Sequence, residues 1–69
     1  MSESVYKIID LVGSSPTSWE DAATQAIGRA SKSLRDLRIA EVQKLDIKIE
    51  DGQPAQFRTN LRLSFKYQD

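Results

Sequence analysis

The chain has 69 residues, with ten Lys plus Arg against ten Asp plus Glu and neither Cys nor His. That length admits one domain, spanning 1–69, and a domain this small buries only roughly 60% of the surface its unfolded chain exposes. The composition excludes disulfides and thiolate sites, removes the commonest general base and metal ligand, and lacks the basic excess expected of a nucleic-acid binder.

Met1-Ser2-Glu3-Ser4 carries neither the basic region nor the apolar stretch of a signal peptide. No apolar run approaches the length needed to span a membrane. The expected location is therefore the cytoplasm, with no nucleic-acid and no membrane partner. Val5-Tyr6-Lys7-Ile8-Ile9-Asp10-Leu11-Val12 is rich in branched and aromatic residues and predicts a first strand with much of both faces buried. Gly13-Ser14-Ser15-Pro16 is turn chemistry.

A helix start follows. Thr17 with Glu20, or Ser18 with Asp21, has the hydroxyl-to-acid spacing of a capping box, and both acids fall where the helix dipole favours negative charge. Trp19, Ala22, Ala23, Ala26, Ile27, Ala30, Leu34 and Leu37 recur at helical spacing. The opposite face carries Gln25, Arg29, Lys32, Arg35 and Asp36. A stripe built mostly of alanine lets the helix lie close against a sheet, and the predicted helix ends near Leu37. Gly28 costs it about 1 kcal/mol against Ala, which suggests a close contact there.

Ile39 to Ile49 predicts a long second strand whose apolar phase changes. Ala40 and Val42 share one parity, and Leu45, Ile47 and Ile49 the other. A bulge produces such a change, and so does a strand whose halves meet different surroundings, one in its own subunit and one at an interface. Glu50-Asp51-Gly52 signals a hairpin, with Gln53 and Pro54 extending the loop. From Ala55 to Tyr67 the alternation is clean: Ala55, Phe57, Thr59, Leu61, Leu63, Phe65 and Tyr67 lie on one face, polar residues on the other. The fold class is α+β in the order β-α-β-β, a three-stranded antiparallel sheet packed around one amphipathic helix.

No catalytic constellation emerges. Ser14, Ser15 and Ser18 have no His partner, and Lys7 has no activating neighbour in sequence. Trp19, the only Trp, belongs to the apolar stripe and reads as core packing or a helix-end contact. The acids Asp10, Glu20, Asp21, Asp36, Asp46, Glu50 and Asp51 offer oxygen ligands for a hard cation such as calcium. They have no EF-hand-like spacing, and solvated charges and caps account for them more simply. Arg58, Arg62, Lys44 and Lys48 form either a ligand-binding wall or, by preference, partners in pairs across a subunit contact. Small domains without disulfides commonly rely on metals or partner chains, so self-association is expected.

Several segments together resemble the dodecins. They are Val5-Tyr6-Lys7-Ile8-Ile9, the Gly13-Ser14-Ser15-Pro16 turn, the Ala-rich helix, Ala40-Glu41-Val42 at the start of the second strand, and Leu61-Arg62-Leu63-Ser64-Phe65. Dodecins are small bacterial and archaeal proteins that assemble into hollow twelve-subunit spheres, many holding flavin. The resemblance implies a homo-dodecameric binding or storage shell and no enzyme. In its flavin-binding members, isoalloxazine rings stack between Trp side chains paired by a two-fold axis, and a Gln on the last strand meets the ring edge. The family pattern places Ile39 at the Trp position and Arg58 at the Gln position, with Glu41 beside them or paired with Arg58 across subunits. Ile does not stack as a ring does, and Arg donates without accepting. Riboflavin or FMN in an altered site is thus one implied ligand. Ser15-Pro16-Thr17-Ser18-Trp19-Glu20 and the missing strand Trp are similar to the subgroup called calcium dodecins, which makes calcium the other, its ligating residues unknown.

Overall fold

The computed structural model describes residues 4–67, so Met1 to Glu3, where a leader was sought, lie outside the described residues. Four elements follow in chain order: β1 (Tyr6–Ser15), α1 (Trp19–Ser33), β2 (Leu37–Glu50) and β3 (Gln53–Lys66). The β-α-β-β order and the antiparallel sheet are as the sequence predicts. The strand order is β1-β3-β2. Both outer strands run antiparallel to β3 and so parallel to each other. Parallel strands need a long crossover connection, and α1 supplies it.

β1 runs three residues past its predicted end. Gly13, Ser14 and Ser15 pair with Thr59, Arg58 and Phe57, and the turn begins only at Pro16. Gly13 is required by packing: a Cβ there would collide with the Ala22 carbonyl oxygen and sit 3.0 Å from the Ala26 Cβ. The alanine stripe thus brings helix and strand backbones together, as its small side chains predict. Gly28 is different. A Cβ at that position meets nothing within 4 Å, so the expected close contact is absent within the chain.

Ser18 is the N-cap, extended at φ −168°, and its hydroxyl accepts from the Asp21 N–H at 2.9 Å. The reciprocal half of the box is not made. Asp21 accepts instead from the Ser15 hydroxyl at 2.6 Å, and Ser15 Oγ accepts from the Thr17 N–H at 3.0 Å. This chain of bonds joins the end of β1 to the helix start. The helix stops at Ser33, short of Leu37. Leu34 is already extended, its N–H donating to the Ala30 carbonyl, and Asp36 is left-handed at φ 59°.

Register explains the phase change in β2. Val42 pairs with Leu61 and Lys44 with Asn60, leaving Gln43 as an extra residue. A bulge of this kind reverses side-chain parity, so Val42 and Leu45 both face the helix side. Asp51 (φ 52°) and Gly52 (φ 72°) form the two-residue turn that a right-twisted hairpin favours. Gln53 and Pro54 therefore belong to β3, paired with Glu50 and Ile49, rather than to the loop.

The core is small: Ala26, Ala30, Leu61 and Leu63, with Ile9, Leu11, Ala23, Ile27, Leu34 and Leu37 packed around it. The helix lies on β1 and β3 and scarcely touches β2. Two consequences follow. β1 buries only the face carrying Ile9, Leu11, Gly13 and Ser15, and the opposite face, with Ile8 and Val12, is open, contrary to the expectation of two buried faces. No residue of β2 is buried. The β2–β3 hairpin also overhangs, because β1 stops opposite Phe57, and the molecule extends 55 × 20 × 15 Å.

Candidate functional site

The sheet face away from the helix is the candidate site, because the polar parity of β3 and the family-equivalent positions both fall on it. Pairing across β3 arranges that face in rows. Ile8, Ser64 and Ile39 form the first, and Asp10, Arg62 and Glu41 the second. Val12, Asn60 and Lys44 form the third, and Ser14, Arg58 and Asp46 the fourth. Neighbouring side chains in such rows lie within pairing distance, and the charged rows use it. Arg62 Nε donates to Asp10 Oδ1 at 3.1 Å. Arg58 grips Asp46 with two bonds, Nε to Oδ1 at 2.7 Å and Nη2 to Oδ2 at 2.9 Å.

These contacts favour the charged forms of Asp46, Arg58 and Arg62. The hydrogen bond from Arg58, helped by the charges of Arg58 and Lys44, holds the Asp46 carboxyl below the ordinary aspartate value of 3.8. The same bond raises the Arg58 guanidinium above its usual range, and the Asp10 bond, with Glu41 nearby, does so for Arg62. An Arg–carboxylate fork occupies both partners' best donor and acceptor directions. A cleft of about 540 Å³ opens beside the fork, lined by Val12, Ser14, Lys48, Glu50, Gln56 and Arg58. At the centre of the face the Asn60 side-chain oxygen is buried without a hydrogen-bond partner among the described residues.

The three family-equivalent residues do not converge within one chain. Ile39 stands opposite Ser64 and Glu41 opposite Arg62. Arg58 is therefore six residues of β3 from the first row and four from the second, roughly 20 Å and 13 Å at the strand rise. Within the chain, Asp46 takes the fork of Arg58, and Glu41 stands against Arg62. In the sequence Asp46 stands only among the scattered acids. Its opposition to Arg58 depends on Lys48 pairing with Gln56 and Ile49 with Pro54, an irregularity that skips Ala55 and has no sequence signature.

Trp19 lies off this face, on the helix side. Its ring meets Phe57 edge-on at 5.2 Å and 75°, and its Nε1–H donates to the Asp46 backbone carbonyl at 3.0 Å. Thr59 Oγ1 donates to the Trp19 carbonyl at 2.9 Å. Trp19 thus ties the helix start to β2 and β3, the helix-end contact that its place on the stripe predicts.

Neither implied ligand finds a complete site in one chain. A stacked flavin needs aromatic faces, and Ile39 supplies none. A calcium ion needs several converging oxygens, and the described residues contain no group of three or more acidic side chains so placed. No helix among them is long and apolar enough to cross a membrane.

A lone helix on one face of a three-stranded antiparallel sheet, with an ion-paired open face, defines a small α+β module of β-α-β-β order. The family model described as Dodecin matches residues 5–68, and the chain belongs to the dodecin family. It is 46% identical over 63 residues to the calcium dodecin of Mycobacterium tuberculosis, covering 91% of this chain and 89% of that one. Its fold superposes on dodecin from Streptomyces coelicolor with a TM-score of 0.93 at 38% identity, covering 100% and 99% of the two chains. It superposes on the M. tuberculosis calcium dodecin, described as a calcium-chelating antigen with a novel calcium-binding site, with a TM-score of 0.86. That match is 45% identical and covers 94% and 93% of the chains.

Proposed function

We propose that this chain is the subunit of a hollow homo-dodecameric shell that binds or stores a small ligand and is not an enzyme. The observation that carries the reading is surface. A compact monomer of 7.8 kDa exposes about 4,400 Å², whereas this chain exposes 5441 Å². Its radius of gyration is 14.3 Å, against about 11 Å for a compact domain of this length. Among the described residues ten large hydrophobic side chains, most of them on β1 and β2, lie exposed. These side chains lie on both faces of the sheet, and an isolated soluble domain rarely leaves apolar patches of this kind in water. Light scattering on a size-exclusion column tests it: the expected mass is twelve chains, and a stable monomer at micromolar concentration overturns the reading.

For the ligand, calcium is favoured over flavin. Its support is the 46% identity to a calcium dodecin together with Ile39 at the stacking position and Arg58 engaged by Asp46. A calcium site would draw oxygens from more than one copy. Melting temperature should rise with calcium and not with matched sodium chloride. Quenching of added riboflavin fluorescence by excess protein would instead favour the flavin alternative, with Ile39→Trp expected to strengthen it. The proposed location is the cytoplasm, which cell fractionation checks.

A further inference from the structure

The β2–β3 hairpin is loosely tied at its tip. Glu50 pairs with Gln53 and Ile49 with Pro54, and then the register shifts, skipping Ala55. Pro54 has no N–H to give the ladder. Every residue from Ile49 to Pro54 is exposed, and the Lys48–Glu50 ion pair at 3.4 Å is too open to water to hold the tip. A segment with so few buried contacts opens locally at low cost.

The turn at that tip is Asp51-Gly52. Asp51 is left-handed at φ 52°, a region Asp enters more readily than most residues, and Gly52 follows at φ 72°. Asp51 is also the one Asp of the sequence that a Gly follows. No side chain shields the Gly52 nitrogen, and a Cβ built on Gly52 would meet nothing within 4 Å. The carboxylates of Asp10, Asp21 and Asp46 are held by Arg62, Ser15 and Arg58. Among the described residues no such partner holds Asp51, whereas Asp36, the other left-handed Asp, is engaged and precedes Leu37.

We propose that Asp51-Gly52 is a modification site, where the main chain converts spontaneously to isoaspartate. When the tip opens, the Gly52 nitrogen attacks Cγ of the protonated Asp51 carboxyl. The new N–Cγ bond closes a five-membered succinimide, and the carboxyl hydroxyl leaves as water with the nitrogen's proton. Water then reopens the ring at either carbonyl. Cleavage of the N–Cγ bond restores Asp51. Cleavage of the bond from that nitrogen to the Asp51 backbone carbonyl carbon leaves Gly52 joined through Cγ, with the old backbone carbonyl now a free carboxylate. One water is lost and one gained, so mass is unchanged. The main chain gains a methylene inside a two-residue turn, whose match to the strand twist is lost. The Asp46–Arg58 fork and the Trp19 bond to the Asp46 carbonyl lie beyond the register shift, so the disruption stops at the tip. The freed carboxylate is the group that enzymes repairing isoaspartate methylate, with S-adenosylmethionine as methyl donor.

The native protein should be aged for weeks in warm neutral buffer, below its melting temperature, and then digested. Trypsin releases the turn as the peptide from Ile49 to Arg58. The expected product is a second form of that peptide with unchanged mass and shifted retention. It should accept a labelled methyl group from S-adenosylmethionine when protein isoaspartate methyltransferase is added. Asp51→Asn keeps a residue suited to the left-handed region and should convert severalfold faster, because ammonia leaves more readily than water. Equal rates in the two proteins would overturn ring closure at this bond. Absence of isoaspartate from the aged native protein would overturn the site, whether or not the free peptide acquires it. Isoaspartate at Asp36 at the same rate would overturn the selection by Gly52. In the converted fraction, amide hydrogen exchange should rise at Gly52 and Gln53 and stay at the parent level at Asp46 and Ile47. Loss of protection at Asp46 would overturn the confinement to the tip.

Discussion

The half of the molecule built from β1, α1 and the centre of β3 is packed like a small core, while β2 and the hairpin tip are not. Both halves use the same alphabet of branched apolar residues on one strand face. Leu61 and Leu63 are 1% exposed, whereas Leu45 is 51% exposed. The difference lies in the helix, which is shorter than the strands and displaced toward β1. The comparison teaches that apolar alternation reports which face is meant to be covered and is silent on whether this chain or another covers it.

The largest way to break that contrast is Leu61→Ala. Removing a fully buried leucine from a core this small should cost about 2–5 kcal/mol. In a domain whose total stability is only modest, that brings it near unfolding, read as loss of the cooperative urea transition. The chemically identical Leu45→Ala should leave the chain folded and act on native mass instead. A large loss of intrinsic fold stability from Leu45→Ala, at a concentration where the parent is dissociated, would erase the distinction between the two halves.

Gly13→Ala comes next. The added methyl meets the Ala22 carbonyl and the Ala26 Cβ, backbone on one side and core on the other. Overpacking of this kind costs about 1–3 kcal/mol, and the urea midpoint should fall accordingly. Gly28→Ala sharpens the contrast from the other side of the same helix. Its position is open, so the substitution should stabilise by up to about 1 kcal/mol through helix propensity, read as a raised urea midpoint. A loss of native mass in Gly28→Ala would mean that this face of α1 meets another copy.

Much of this was legible in the residues and some was not, for identifiable reasons. β3 was plain because its alternation runs unbroken and one face is buried by its own chain. The helix start was plain because Ser18 and Asp21 satisfy a local rule, although Asp21 turned out to serve Ser15. The strand identity of Gly13 to Ser15 was hidden, because glycine there answers a helix–strand approach rather than a turn, and both needs look alike in sequence. The Gln43 bulge left a visible trace in the phase change of β2. The skip at Ala55 left none, and it is this skip that brings Asp46 opposite Arg58. A site residue fixed by register across an irregular ladder is invisible until the ladder is known. Ile39 and Arg58 lie on the same open face, but Ile39 stands opposite Ser64, six residues of β3 away from Arg58.

The smallest expected effect concerns that Asp46–Arg58 pair, and its sign can be worked out. Asp46 has its folded-state pKa lowered below 3.8, with the Arg58 hydrogen bond as the leading cause. A depressed carboxyl pKa contributes stability above the unfolded value and loses it as pH falls through the folded value. The window therefore lies below about pH 4, where Arg58 stays charged and only the carboxylate changes. Both side chains are close to half exposed, so solvent and salt screen the pair and its contribution is slight. Asp46→Asn should leave stability near neutral pH almost unchanged and flatten the decline in melting temperature on acidification. High salt should reduce the difference between the two proteins. If Asp46→Asn instead lowers the native mass at neutral pH, the fork has a second task. It would then hold the hairpin arm, with Trp19 on the same residue's carbonyl, in the shape that another copy requires.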